Sequence, residues 1–255
     1  MWNPFDFTGK RIIVTGSTSG IGKATAIKLA EQGAELIMIG RSEERLKETV
    51  SFLKGNGHKI YVKDFSESGG YREIFDDIIS DEKKIDGLVH SAGIAKILPV
   101  GNLTKKTMDE SMTVNFYSFA EMVGLLSKKK YHDKASVVGI SSIATMYPAQ
   151  CQSLYVATKS AMNTFVTSSA IELAKKNIRI NTVMPSVTRT RMIEEDYERL
   201  TPEQFNKMTE SLLLGVSEPE DIADVILFLL SDVSRVITGR SLYSDAGTIP
   251  DLSHI

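Results

Sequence analysis

Tyr155 and Lys159 stand four positions apart in an amphipathic pattern that runs from residue 153 to 176. Residues at i and i+4 share one face of a helix, so this spacing predicts that the phenol and the ammonium lie one turn apart. An ammonium there favours phenolate and is expected to lower the tyrosine pKa, which suits proton exchange with a carbonyl or an alcohol. Chance alone gives about 0.6 such pairs in a chain of this composition, so the pair gains meaning only from its context.

A glycine-rich segment, residues 15–22, reads TGSTSGIG and separates a strand-like run from a helical pattern. Strand, glycine turn and helix together suit a pyrophosphate, because backbone N–H groups and the helix dipole then face the ligand. The segment lacks the Gly-Lys-Ser/Thr ending of a P-loop, so a dinucleotide is favoured over a nucleoside triphosphate. The alternative is that the glycines serve only a tight turn. The predicted contacts in this loop are Gly16, Ser17, Ser19, Gly20, Ile21 and Gly22.

Arg41 follows the second strand-like run, at a point where NAD-preferring sites carry an acidic residue. A guanidinium matches a phosphate by charge and by its forked donors, so NADP is favoured over NAD at this position. The alternative is that Arg41 is an exposed charge beside Glu43 and Glu44.

Short β-branched runs alternate with helical patterns from one end of the chain to the other, which predicts a βαβ series and an α/β fold. The runs are largely apolar, as strands of a buried parallel sheet are. We see no repeat or linker that divides the chain, so one domain over residues 1–255 is expected, with a substrate lid inserted at about 186–214. The predicted strands are residues 11–14, 36–40, 59–62, 87–90, 136–141, 179–183 and 241–244.

The composition excludes several classes of protein. With 42% hydrophobic and 24% charged residues, the chain of 255 residues has a globular composition, and its net charge of −2 argues against nucleic acid or anionic lipid as a partner. The single cysteine, Cys151, and four scattered histidines predict neither a disulfide nor a bound metal. No secretion signal or membrane-spanning stretch is evident, so a cytoplasmic protein is expected.

Taken together, the motifs resemble, in order and spacing, those of the short-chain dehydrogenases/reductases, and the resemblance covers the whole chain. It implies a Rossmann-type, doubly wound parallel sheet of about seven strands with helices on both faces. It also implies hydride transfer between a nicotinamide cofactor and a carbonyl/alcohol pair. The motifs are Thr15-Gly16-x-x-x-Gly20-x-Gly22, Asp64, Ser91-Ala92-Gly93, Asn115, Ser142, Tyr155-x-x-x-Lys159, and Pro185 leading to Thr190.

The resemblance assigns roles position by position. It implies that Tyr155 is the general acid/base, that Lys159 lowers its pKa and holds the nicotinamide ribose, and that Asn115 anchors a water. Ser142 is expected to bond the substrate oxygen, with Ser141 as the alternative. The further cofactor contacts that it implies, besides Tyr155 and Lys159, are Asp64, Phe65, Ala92, Gly93, Pro185 and Thr190.

The chain departs from the family pattern at three places. His90 and Ser91 replace two asparagines, and we expect the histidine to be structural. Ser186 replaces a glycine after Pro185, and Ala246 replaces one near the end of the chain. None of these changes removes a catalytic group.

A small carbonyl or alcohol is the expected substrate, and its identity stays open among steroid, sugar and small ketone. A 3-oxoacyl group on an acidic carrier protein is one candidate, because lysines at 128–130 and 175–176 could meet such a partner; solvated helix ends are the alternative. Near the inferred pocket, four residues suggest an adaptable apolar surface: Met146, Tyr147, Met184 and Met192.

Two other classes of function fit the sequence less well. A non-catalytic NADP-binding sensor or scaffold would gain nothing obvious from four intact catalytic groups. A nucleotide-sugar epimerase or dehydratase needs a longer substrate domain than this chain has.

The apolar positions of two helical patterns bear on the assembly of the protein. Two helical patterns, residues 106–130 and 153–176, carry more apolar positions than one core-facing stripe needs. A homotetramer, or at least a dimer, is therefore expected, with Phe165 or Phe119 near the interface; the alternative is that the second face packs inside the subunit.

Overall fold

The computed structural model describes residues 3–191, 201, 203, 206 and 209–248. The centre of the predicted lid, residues 192–200, which includes Met192, lies outside the described residues. Within the described part of the chain, every helix is too short or too polar to cross a membrane.

Seven parallel strands form one sheet in the order β3-β2-β1-β4-β5-β6-β7. This order confirms the predicted doubly wound α/β fold. From β1 at the centre, the sheet continues on one side with β2 and β3 and on the other side with β4 to β7. The strand order therefore reverses between β1 and β4, and this switch point is where such folds bind ligands. The strands are β1 (Arg11–Thr15), β2 (Glu35–Gly40), β3 (Lys59–Val62), β4 (Gly87–His90), β5 (Ala135–Ile140), β6 (Ile178–Pro185) and β7 (Ser241–Ser244).

Helices cover both faces of the sheet. Side chains of α3, α5 and α6 pack on one face, and those of α1, α2 and α7 pack on the other. The helices are α1 (Gly20–Glu31), α2 (Glu43–Val50), α3 (Tyr71–Ile78), α4 (Lys105–Met112), α5 (Ser118–Leu126), α6 (Ser153–Leu173) and α7 (Pro219–Leu230).

The strands form because their apolar side chains can be buried on both faces of the sheet. In β1, Ile13 belongs to the core under α3, α5 and α6, while Ile12 and Val14 belong to the core under α1 and α7. Side chains alternate between faces along a strand, so a continuous apolar run supplies both cores. Each such side chain contributes roughly 1.5–3 kcal/mol when it is fully buried.

The helical pattern predicted over residues 106–130 contains a turn that the sequence did not indicate. A π-helical turn, Thr113–Tyr117, joins α4 to α5 and inserts one extra residue in the middle of the pattern. Such turns are rare and occur often at functional sites.

The apolar residues expected to be left over for a partner are mostly used within the subunit. Phe119 is fully buried in the chain's own core, as are Met122, Met162 and Val166, so its side chain has no surface left for a partner, and a position near an interface stays a prediction. Phe165 is only partly buried and packs edge-on against Phe119.

Candidate active site

The glycine loop joins β1 to α1 at the switch point and forms a backbone cradle. Gly16 has a φ of +65°, and a Cβ atom there would approach the Ala92 nitrogen to 2.8 Å. A Cβ atom on Gly22 would collide with the Gly16 carbonyl oxygen. The Ser19 side chain makes no capping bond to α1, whose first turn contains no acidic residue. The first N–H groups of α1 therefore remain suited to an anion, and these residues fit a dinucleotide pyrophosphate.

The side chains of the loop differ in what they offer a ligand. Ser17 is fully buried and its hydroxyl has no hydrogen-bond partner, so a ligand in the cradle would meet its backbone. Ser19 is exposed, and Ile21 packs against the core under α1. Thr190 lies directly over the loop, since a Cβ on Gly20 would come within 2.9 Å of its methyl carbon.

Arg41 and Asp64 follow β2 and β3 at the same edge of the sheet. Arg41 is exposed. Asp64 Oδ1 accepts bonds of 2.8 Å from both the backbone N–H and the hydroxyl of Ser66, and these bonds hold the pKa of the carboxyl below its usual value, with a smaller contribution from the charge of Arg41. The ring of Phe65 is buried and stacks on Tyr71. Only its backbone remains to contact a cofactor.

Ser142 and Tyr155 meet at the carboxyl end of β5. Ser142 begins the short helical turn Ile143–Thr145, and its Oγ accepts a bond of 3.1 Å from the Ala144 N–H. Burial raises the pKa of Tyr155, and a hydrogen bond with the Ser142 side chain lowers it by less. Ser141 is turned away from the phenol, towards the backbone of α6. Of the two serines, the geometry brings Ser142 to the tyrosine.

Lys159 lies behind the tyrosine rather than against its hydroxyl. Its Nζ donates a bond of 2.7 Å to the Ile140 carbonyl oxygen and lies 5.8 Å from the centroid of the Tyr155 ring. Burial lowers the pKa of Lys159 to about 8. Burial is the largest influence on the Tyr155 phenol and raises its pKa, and the lowering expected from the Lys159 ammonium stays a prediction.

Asn115 projects from the π-helical turn and is fully buried. Its Oδ1 accepts from the Ile94 N–H at 2.8 Å, and its Nδ2 donates to the Ile94 carbonyl at 2.9 Å and to Thr158 Oγ1 at 2.9 Å. A Cβ on Gly93 would lie 3.4 Å from both Asn115 Oδ1 and Lys159 Nζ, so the absence of a side chain at Gly93 leaves the two groups room.

Two groups of the site were not predicted from the sequence, namely the Thr158 hydroxyl and the Ile140 carbonyl. Thr158 accepts from Asn115 and donates to the Tyr155 carbonyl oxygen at 2.7 Å, so it links the asparagine to the helix that carries the tyrosine. The Ile140 carbonyl receives the lysine ammonium. The place of Thr158 within the Tyr155-x-x-x-Lys159 turn signals this residue, but no side-chain pattern reveals a backbone carbonyl.

Ser186, one of the three departures from the family pattern, follows Pro185 at the end of β6. Its hydroxyl is buried with no hydrogen-bond partner. Among the residues that the structure describes, no cluster of His, Cys, Asp and Glu side chains has the geometry of a metal site.

A seven-stranded, doubly wound sheet with an anion cradle at its switch point defines a dinucleotide-binding α/β protein. The sequence model of a family described as "Enoyl-(Acyl carrier protein) reductase" matches residues 16–248. The chain belongs to the short-chain dehydrogenase/reductase family. It is an oxidoreductase of a class that acts on alcohol and carbonyl groups with a nicotinamide cofactor.

Similar proteins carry several different names. The chain is 32% identical to an L-xylulose reductase of Caenorhabditis elegans, over 95% of this chain and 97% of the relative. It is 31% identical to a 3-oxoacyl-[acyl-carrier-protein] reductase of Thermotoga maritima, over 94% and 98% of the two chains. A solved short-chain dehydrogenase/reductase from Mycobacterium ulcerans superposes with a TM-score of 0.86 at 27% identity, covering 95% of this chain and 90% of that one.

Proposed function

We propose that this protein is an NADP-dependent oxidoreductase that interconverts a carbonyl group and a secondary alcohol, with Tyr155, Ser142, Lys159 and Asn115 as its catalytic residues. One observation carries the proposal: Ser142, directly beyond the carboxyl end of β5, lies close enough to the Tyr155 phenol to lower its pKa, beside the end of β4 that faces the glycine cradle. The nicotinamide supplies or accepts the hydride when it is bound.

The chemistry of the two hydroxyls suits reduction of a carbonyl. A raised pKa keeps the Tyr155 phenol protonated at neutral pH, so the phenol can donate a proton to the substrate oxygen. The Ser142 hydroxyl can donate to the same oxygen and stabilise the negative charge that develops on it. Lys159 and Asn115 support this arrangement from behind, and the ammonium is the group suited to hold the ribose.

The preference for NADP rests on Arg41. Its guanidinium is exposed directly after β2, where no carboxylate occupies the strand end, and it is close enough to Asp64 to influence that carboxyl electrostatically. A guanidinium at this position, with its positive charge and its paired N–H donors, suits a ribose 2′-phosphate. The remaining proposed cofactor contacts are Gly16, Ser17, Ser19, Gly20, Ile21, Gly22, Asp64, Phe65, Ala92, Gly93, Pro185 and Thr190.

A neutral carbonyl compound is the substrate that the loops favour. From Ile140 to Thr158 the sequence contains no Asp, Glu, Lys, Arg or His. Met146 and Tyr147 are exposed in this stretch, and the Thr145 hydroxyl is bonded to the Ser142 carbonyl. A charged substrate would find few partners here.

The lysines that were expected to meet an acidic carrier protein lie far from the candidate active site. The lysines at 128–130 precede β5 and those at 175–176 precede β6, so both groups lie at the amino ends of the strands, whereas Ser142 follows the carboxyl end. A strand of six residues spans about 20 Å. Lys129 and Lys130 also form ion pairs with Asp133 and Asp76. A carrier-bound substrate is supported by the names of relatives such as the Thermotoga reductase and by the description of the matching family model, and not by these lysines.

The proposal also includes the assembly and setting of the protein. A homotetramer, or at least a dimer, is supported by exposed apolar side chains on α4, the π-helical turn and α6, namely Met108, Tyr117 and Ile171. One domain over residues 1–255 with a lid at about 186–214, and a cytoplasmic location, complete it. The free and half-buried Cys151 supports a reducing compartment.

The test is a panel of neutral ketones, sugars and 3-oxoacyl thioesters, read by the absorbance of NADPH. We expect turnover with a neutral ketone, and the variant Tyr155→Phe should lose at least about 10²-fold in kcat while it binds NADPH within a few-fold of the wild type. Binding of NADPH without turnover of any compound would instead favour the sensor or scaffold function. A Tyr155→Phe variant that keeps a tenth of kcat would reject the assigned role.

A further inference from the structure

His90, the last residue of β4, is a buried histidine with no part in the chemistry described above. It is 1% exposed, and its ring lies between the rings of Phe65 and Phe119, at centroid distances of 6.0 and 5.4 Å. Its Nε2 lies 2.8 Å from the hydroxyl oxygen of Ser118, the residue that follows the π-helical turn.

The hydrogen-bond directions follow from counting protons. Ser118 donates its one hydroxyl proton to the Val114 carbonyl oxygen at 2.8 Å, so its oxygen must accept from His90 Nε2–H. Burial and the charge of Lys159 lower the pKa of His90 to about 3, so the ring is neutral with its proton on Nε2. His90 Nδ1 has no hydrogen-bond partner.

This contact ties the sheet to the turn that carries Asn115. Val114 lies within the π-helical turn and Ser118 directly follows it, so His90, through Ser118, holds the turn from one side. Asn115 holds the same turn from the other side through the Ile94 backbone and Thr158. A π-helical turn is much rarer than the α-helix around it, and here hydrogen bonds hold it on both sides.

We propose that His90 is a positioning residue, which acts through Ser118 to hold the π-helical turn and thereby fixes the amide of Asn115 against Ile94 and Thr158. The catalytic consequence rests on the function proposed above, whereas the structural link does not. His90→Phe keeps an aromatic ring between its neighbours and removes the donor. His90→Gln brings an amide N–H back to about the position of Nε2.

The first experiment compares steady-state kinetics of these two variants with Ser118→Ala, which breaks the same link from its other end. We expect His90→Phe and Ser118→Ala each to lower kcat about tenfold with KM for NADPH within twofold, because a misplaced catalytic group costs rate more than binding. His90→Gln should recover most of kcat. The double variant His90→Phe/Ser118→Ala should lose no more than Ser118→Ala alone, because Ser118→Ala already breaks the bond between the two residues.

The matched control is Ser136→Ala. Ser136 is also a buried serine that donates to a backbone carbonyl, that of Leu229 at 2.8 Å, but it lies at the amino end of β5. This variant should lose stability without a change in kcat. An equal fall of kcat in Ser136→Ala and Ser118→Ala would overturn the proposal, because general destabilisation would then explain both.

The second experiment measures amide hydrogen exchange without cofactor or substrate. Peptides that cover residues 92–98 and 113–118 should exchange faster in Ser118→Ala and His90→Phe than in Ser136→Ala, and His90→Gln should restore protection. Unchanged exchange in both peptides would overturn the proposal even if kcat fell. A wild-type protein without turnover would reject the proposed function, while the exchange result would still test the link.

Discussion

The burial of His90 predicts a specific loss of stability in acid. In the unfolded chain this imidazole takes up a proton near its ordinary pKa of 6.5, whereas in the folded chain its pKa is lowered to about 3. Between these values the unfolded state binds more protons, so this contribution to stability is complete above about pH 6.5 and is lost as the pH falls towards 3. At pH 4.5, two units below the ordinary pKa, the loss is about 2–3 kcal/mol.

Urea unfolding followed by far-ultraviolet circular dichroism, at one chain concentration, measures this loss. The free energy of unfolding of the wild type should fall between pH 7 and pH 4.5 by about 2–3 kcal/mol more than that of His90→Gln, which cannot take up the proton. Ser136→Ala serves as the control, since it should be less stable at both pH values and show the wild-type pH difference. An identical pH difference in the wild type and His90→Gln would show that the folded chain protonates His90 without cost.

Three further predictions concern the site and the assembly. Arg41→Ala should weaken NADPH binding by about 1.5–3 kcal/mol and leave NADH binding almost unchanged in fluorescence titrations, because only the 2′-phosphate loses a charged donor; equal losses would assign Arg41 to the fold. Ser142→Ala should lower kcat by about 10²-fold or more, whereas Ser141→Ala should affect chiefly stability, and the reverse order in a steady-state assay would exchange their roles. Light scattering at micromolar concentration should give the mass of a dimer or tetramer, and Tyr117→Asp should reduce this mass, because a carboxylate that is buried without a partner opposes association. A wild-type protein that is a monomer with full activity would contradict the proposed assembly.

The sheet could be predicted because its strands combine two independent signals. Residues 12–14 and 36–39 are β-branched or apolar at every position, and turn residues follow both runs, so burial on both faces was evident from the pattern alone. The glycine loop could also be predicted, from the spacing of its glycines between a strand and a helix. The structure gives the reason for two of them, because a Cβ atom on Gly16 or Gly22 would meet backbone.

The parts that the sequence could not reveal depend on a single residue or on backbone atoms. One extra residue in the π-helical turn, Thr113–Tyr117, leaves the apolar periodicity almost unchanged, yet it rotates everything after it by about 100°. Phe119 therefore enters the core. The direction of the Lys159 ammonium depends on the Ile140 carbonyl, and no residue type encodes that contact.

The three bonds of Asn115 give its amide a fixed direction. The oxygen faces an N–H, while the nitrogen faces the Ile94 carbonyl and the Thr158 hydroxyl oxygen, whose own proton is already donated to the Tyr155 carbonyl. Aspartate has almost the same shape as asparagine, but it would place a carboxylate oxygen against two acceptors, and it could fit only by keeping its proton. Deamidation at this position would therefore damage the site through one atom, with no change in side-chain volume.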